Sequence, residues 1–87
     1  MMDPYKIIMY PLMGEKATIL REKENKLTFI VAKDATKTDV AEAVEALYSV
    51  KVVQTNIIIT TKGKKKAHVR LDPKFSAEEI ASQFGVL

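Results

Sequence analysis

Eighty-seven residues, 47% of them hydrophobic, suffice for one small core and exclude two cores or a substrate cleft closed between domains. The absence of cysteine excludes disulfides and thiolate metal sites, and fits a reducing compartment. The formal net charge of +3 is modest, so its distribution along the chain carries more information than its size.

Met1 to Lys6 does not read as a signal peptide, and none is expected: Asp3 and Pro4 interrupt it, and Pro11 breaks the short apolar stretch that follows. No apolar run nears the roughly 18 residues of a membrane span. A cytoplasmic protein with no direct membrane insertion is therefore expected. Lys6-Ile7-Ile8-Met9 is a β-prone run closed by Pro11. Glu15 to Glu22 reads as a brief helix. Gly14 stands at its N-cap without a side-chain oxygen, and Glu15 suits the positive end of the helix dipole. Glu22 to Lys26 is a charged turn. Leu27 to Ala32 follows as a strand with Leu27, Phe29 and Val31 on one face.

Thr36 and Asp39 make a capping-box-like pair at the start of the clearest helix. Val40, Ala43, Val44, Leu47 and Tyr48 recur at the spacing of one apolar stripe, with Lys37, Glu42 and Glu45 on the other side. Val50 to Thr61 is a β-branched run longer than the usual strand, so a bulge or bend is expected near Gln54 to Asn56. Lys62-Gly63-Lys64-Lys65 is a tight connection. In the strand beyond it, Ala67, Val69 and Leu71 alternate with Lys66, His68 and Arg70, which predicts an antiparallel hairpin. Ser76 with Glu79 gives a second capping box, and Phe75 with Ile80 a hydrophobic staple. That helix runs through Ala77, Ile80, Ala81 and Phe84 and stops at Gly85. The expected fold is α+β, one mainly antiparallel four-stranded sheet packed by two to three helices, with residues 1–87 as a single domain.

Lys62, Lys64, Lys65, Lys66 and Arg70 place five positive charges between residues 62 and 70 with no acid among them. Of 14 basic residues nine remain elsewhere, and against eleven acids they sum to −2. The basicity is local. Strand alternation puts Lys64, Lys66, His68 and Arg70 on one face about 6.6 Å apart, comparable with the step between successive phosphates of one strand. Composition alone leaves two readings open: a backbone-tracking surface for nucleic acid, or a solvated lysine-rich turn that protects a sheet edge. Tyr5, Tyr10, Phe29, Tyr48, Phe75 and Phe84 do not interleave with the lysines in sequence, so base stacking is not indicated. Phe29, Tyr48 and Phe84 read as core.

Nothing in the sequence suggests catalysis. His68 is a lone histidine among lysines, without a nucleophile, a carboxylate or further metal ligands nearby. Gly14, Gly63 and Gly85 are isolated and form no phosphate-binding motif. An acyl-phosphate hydrolase would need a phosphate-cradling loop with an arginine, and Arg21 lies in a charged helix without one. No catalytic residue, metal site, cofactor or small-molecule substrate is assigned.

Three segments, Pro11-Leu12-Met13-Gly14-Glu15-Lys16-Ala17, Val31-Ala32-Lys33-Asp34-Ala35-Thr36-Lys37 and Lys65-Lys66-Ala67-His68-Val69-Arg70-Leu71, fall in an order and spacing that resembles the universal large-subunit ribosomal protein L twenty-three family. Val50 to Asn56 is similar to that family's strand ending in asparagine. The resemblance covers nearly the whole chain. It implies a structural constituent of the ribosome that binds large-subunit (23S-type) rRNA beside the polypeptide exit tunnel, next to ribosomal protein L twenty-nine. It also implies a docking platform for chaperones, the signal recognition particle and the translocation channel. The rRNA-binding residues expected are Lys62, Lys64, Lys65, Lys66, His68 and Arg70, and the docking residues Glu15 and Lys16. Bacterial members carry a long extension between the last two strands. Here Lys62 to Lys66 closes the hairpin directly, which resembles the short archaeal form. A small regulatory ligand-binding α+β domain is the alternative, and it would need polar groups converging on a concave pocket.

Overall fold

A single central strand accounts for most of the architecture, because it is buried on both faces. The computed structural model describes residues 3–84. Its elements in chain order are helix α1 (Pro4–Ile7), strand β1 (Ile8–Pro11), helix α2 (Glu15–Glu24), strand β2 (Lys26–Val31), helix α3 (Lys37–Tyr48), strands β3 (Val52–Ile59) and β4 (Lys65–Leu71), and helix α4 (Ala77–Ala81). The strands form one sheet in the order β1-β2-β4-β3, antiparallel throughout.

On one face Leu27, Phe29 and Val31 of β2 join Ala67, Val69 and Leu71 of β4 beneath α3, α1 and α4. Val40, Ala43 and Val44 supply the α3 side of this core. Leu47 and Tyr48, on the same stripe, are only partly buried. Phe29 is fully buried and meets Tyr48 in a stack with centroids 6.1 Å apart and Phe84 edge-on at 5.7 Å. On the opposite face α2 lies over β2. Ala17, Ile30 and Thr28 are buried there, outside the main core. Alternation in β2 had marked only one face as apolar, whereas the strand lies between two helical layers.

Local chemistry fixes most element ends as expected. Thr36 Oγ1 accepts from the Asp39 amide at 3.1 Å, and Asp39 Oδ2 accepts from the Thr36 amide at 3.0 Å, a complete capping box. Ser76 Oγ accepts from the Glu79 amide at 3.3 Å, starting α4, but the predicted second capping box is only half formed, because the Glu79 carboxylate makes no return bond to the Ser76 amide. Four differences arise. Pro4 to Ile7 forms a helical turn capped by Asp3, so the predicted N-terminal strand begins only at Ile8. Helix α2 runs on to Glu24, taking up most of the predicted charged turn, and ends because Asn25 adopts the left-handed conformation at φ 54°. The β3 irregularity falls between Val52 and Gln54, before the predicted position. Helix α4 ends at Ala81, and the predicted Gly85 stop lies outside the described residues.

Two polar side chains join distant segments. The Asn25 amide donates to the Phe75 carbonyl at 2.9 Å and accepts from the Ala77 amide at 2.7 Å, so the end of α2 holds the start of α4. Helical periodicity puts Glu45 on the side of α3 away from its apolar stripe. Its Oε2 instead accepts from the Val52 amide at 2.8 Å and docks β3 onto α3.

Candidate nucleic-acid interface

The β3–β4 hairpin is closed by the Thr60 amide donating to the Lys64 carbonyl at 2.8 Å and the Gly63 amide to the Thr60 carbonyl at 2.9 Å. Gly63 has φ 79°, a conformation that a side chain would strain. The turn holds Lys62 and Lys64 exposed at its tip. Along β4 the buried residues Ala67, Val69 and Leu71 turn to the core, so Lys66, His68 and Arg70 turn to the opposite face. Their partners on β3 are Ile58, Asn56 and Gln54. Because α2 packs mainly on β2, a groove is left between it and this half of the sheet.

The basic residues separate into distinct roles. Lys65 faces away from the row: its ammonium donates to the carbonyls of Lys33 and Ala35 at 3.0 and 2.6 Å and fixes the connection into α3. Arg70 is held at the far end of the row, where its guanidinium lies 3.3 Å from Glu24 Oε1 and also bonds the Glu24 carbonyl. Glu24 sits between Lys26 and Arg70, and its carboxyl is held below the usual carboxylate range chiefly by the Lys26 ammonium. Among the described residues the ion pairs are Arg21–Glu78, Lys26–Glu24 and Arg70–Glu24. Among the described residues Lys62, Lys64 and Lys66 therefore form no ion pair with a carboxylate.

His68 sits opposite Thr28, and its Nδ1 lies 3.1 Å from the Thr28 hydroxyl. This contact satisfies the buried Thr28 oxygen. Burial, then repulsion from Lys66 and Lys26, pushes the imidazole below its ordinary value, with Glu24 opposing. A histidine whose folded pKa is lowered binds fewer protons folded than unfolded. Its contribution is full above the unfolded value of about 6.5 and is lost as pH falls through that value toward the folded one. Stability of the wild type is expected to be flat above about pH 7 and to decline between about 6.5 and the onset of carboxylate titration. His68→Gln should remove that decline in urea titrations at stepped pH. A decline of equal size in both proteins would assign it to other groups.

Glu15 opens α2 and is exposed, with no side-chain cap from Gly14. Lys16, one residue on, lines a groove of about 430 Å³ together with Ile19 of α2, Ile58, Lys66 and His68. The structure thus brings Lys16 to the same open face as the basic row, a proximity across some fifty residues that sequence spacing did not reveal. It also corrects the separation of aromatic and basic residues: the Lys64 ammonium lies 2.9 Å from the Tyr10 hydroxyl. Among the described residues no group of His, Asp and Glu is placed to hold a metal ion, and no helix is long and apolar enough to cross a membrane.

These features describe a basic α+β protein with a lysine-bearing hairpin tip and a sheet face that carries Lys66, His68 and Arg70. Residues 6–79 match the family described as Ribosomal protein L23. A relative from Methanococcus aeolicus, Large ribosomal subunit protein uL23, is 46% identical over 85 residues, covering 98% of this chain and 99% of the relative. The chain belongs to the ribosomal protein L23 family and is a structural constituent of the large ribosomal subunit.

Proposed function

We propose that residues 1–87 form one rRNA-binding domain that grips large-subunit (23S-type) rRNA through Lys62, Lys64, Lys66, His68 and Arg70, with Lys65 shaping the same hairpin from behind. The observation that carries this reading is the run of three lysines without acidic partners along the tip and open face, on a chain of a ribosomal family. In a folded RNA the phosphates are the accessible groups, and a rigid row of cations suits them without reading bases. The domain works in the cytoplasm, beside the polypeptide exit tunnel and next to ribosomal protein L twenty-nine. Glu15 and Lys16, at the exposed start of α2, form part of the docking site for the signal recognition particle and the translocation channel, with Lys16 at the margin of the basic face.

An acid at a helix start has a plainer purpose, since dipole complementarity alone contributes about 0.3–1 kcal/mol. Glu15→Gln separates the two roles because it keeps the side-chain size and removes the charge. Assembly of large subunits should be unchanged. Affinity of mutant ribosomes for the signal recognition particle should drop severalfold at low salt, with the difference shrinking as salt screens the pair. Equal binding by wild-type and Glu15→Gln ribosomes at low salt would leave Glu15 as a helix-start residue only.

A further inference from the structure

We infer that Tyr10 and the lysines around it form a stacking site for one unpaired nucleotide of the bound RNA, an inference that rests on the RNA-binding reading above. Tyr10 lies on the edge strand β1, opposite Ile30, and is 41% exposed. An exposed tyrosine on an edge strand needs no special role. This one, however, is held. The Lys64 ammonium donates to its hydroxyl at 2.9 Å and lies 5.6 Å from the ring centroid, which ties the ring to the hairpin tip and limits the freedom it would otherwise lose on binding.

Beside the ring is a depression of about 420 Å³ lined by Met9, Tyr10, Ile30, Lys33, Lys62 and Lys64, among others, and among the described residues no acid contributes to its wall. The Lys65 ammonium, also at this wall, is occupied by two carbonyls, which leaves Lys33, Lys62 and Lys64 to face an anion. The site therefore combines an apolar and aromatic floor with a cationic rim. A nucleotide has the matching parts, a flat π-face and a flanking phosphate. Bases within an RNA helix have their faces covered by their neighbours, so the occupant is a nucleotide from a loop, bulge or end. An acidic peptide would match the rim but leave the ring without a planar partner.

The test uses the full chain and transcribed large-subunit rRNA. Tyr10→Val keeps a β-prone residue on the strand and removes the ring. Its affinity should fall by about fivefold or more, while the slope of log affinity against log salt stays as in wild type, because no phosphate contact is lost. Tyr10→Phe keeps the ring and loses only the Lys64 hydrogen bond, so its affinity should lie between those of wild type and Tyr10→Val. Short-wavelength irradiation of the wild-type complex with an unmodified transcript, which activates every base, should also yield a cross-link mapped to Tyr10. Wild-type affinity in Tyr10→Val overturns the stack and leaves the RNA-binding reading standing. Absence of the Tyr10 cross-link from a complex that forms also overturns it, whether or not the valine variant folds. If Tyr10→Val binds rRNA normally but loses a neighbouring ribosomal protein on reconstitution, the site serves a protein and the inference fails. Failure of the wild type itself to bind rRNA would overturn both readings.

Discussion

Lys62→Gln, Lys64→Gln and Lys66→Gln, combined in one chain, should abolish most of the salt-sensitive affinity for large-subunit rRNA while leaving the fold intact. If the wild type neutralises about five phosphates, its affinity drops roughly 500-fold between 50 and 200 mM salt. With three of those contacts removed, the same salt change should weaken the variant only about tenfold. Glutamine retains a polar, flexible side chain, so the turn and the β4 pairing lose charge and little else. Lys65 is left out deliberately. Its ammonium bonds the Lys33 and Ala35 carbonyls, so replacing it would test the connection into α3 along with any RNA contact. The matching variant with arginine at all three positions should keep the wild-type slope. Parallel salt dependence of the glutamine variant and the wild type, in filter binding or calorimetry, would mean that the phosphates lie elsewhere on the molecule.

Phe29→Ala should be the most damaging single change to the fold. The side chain is fully buried in the middle of the central strand and contacts the rings of Tyr48 and Phe84. Truncating such a residue costs about 3–5 kcal/mol through lost transfer energy and the cavity left behind. For a domain of this size that is a large fraction of the total, which runs at about 0.05–0.15 kcal/mol per residue. Glu42→Ala, exposed on the outer side of α3, should change stability by about 0.5 kcal/mol or less. A urea titration separates the two through the midpoint at constant slope. Comparable midpoint shifts would mean that Phe29 is less central than its packing indicates. The apolar stripe of α3 should not respond uniformly either, because Val44 is fully buried and Leu47 only partly so.

Features determined by near neighbours were legible in the sequence. The Thr36–Asp39 capping box, the alternation of Ala67, Val69 and Leu71 with Lys66, His68 and Arg70, and the glycine of the hairpin turn all depend on residues within a few positions of one another. What escaped depends on contacts across the chain. Nothing local marks Asn25 as the residue that holds the start of α4, since its partners lie 46 to 52 positions away. Lys65 read as one more cation in a run, until the carbonyls of Lys33 and Ala35 gave it a different role. Tyr10 and Lys64 are 54 positions apart, which is why the aromatic and basic residues looked unrelated. The candidate surface was legible to the extent that alternation dictates which face a strand residue takes. Its extension to Lys16 and Tyr10 was not, because it required the placement of α2 and β1 around β2.

The strand order β1-β2-β4-β3 also has a consequence for synthesis. The two interior strands, β2 and β4, are separated in the chain by α3 and β3, so they pair only across some forty residues. Ribosomes extend the chain from its N-terminus, and a nascent chain that has reached Ile59 contains β3 but not the strand that joins it to the sheet. Leu27, Phe29 and Val31 then lack their neighbours Ala67, Val69 and Leu71. Pairings so distant in sequence close slowly, since the loop must be ordered before the contacts stabilise it. Completion of β4 is therefore the event on which cooperative folding depends, and until then the strand that ends most deeply buried stays open to chaperones and to aggregation.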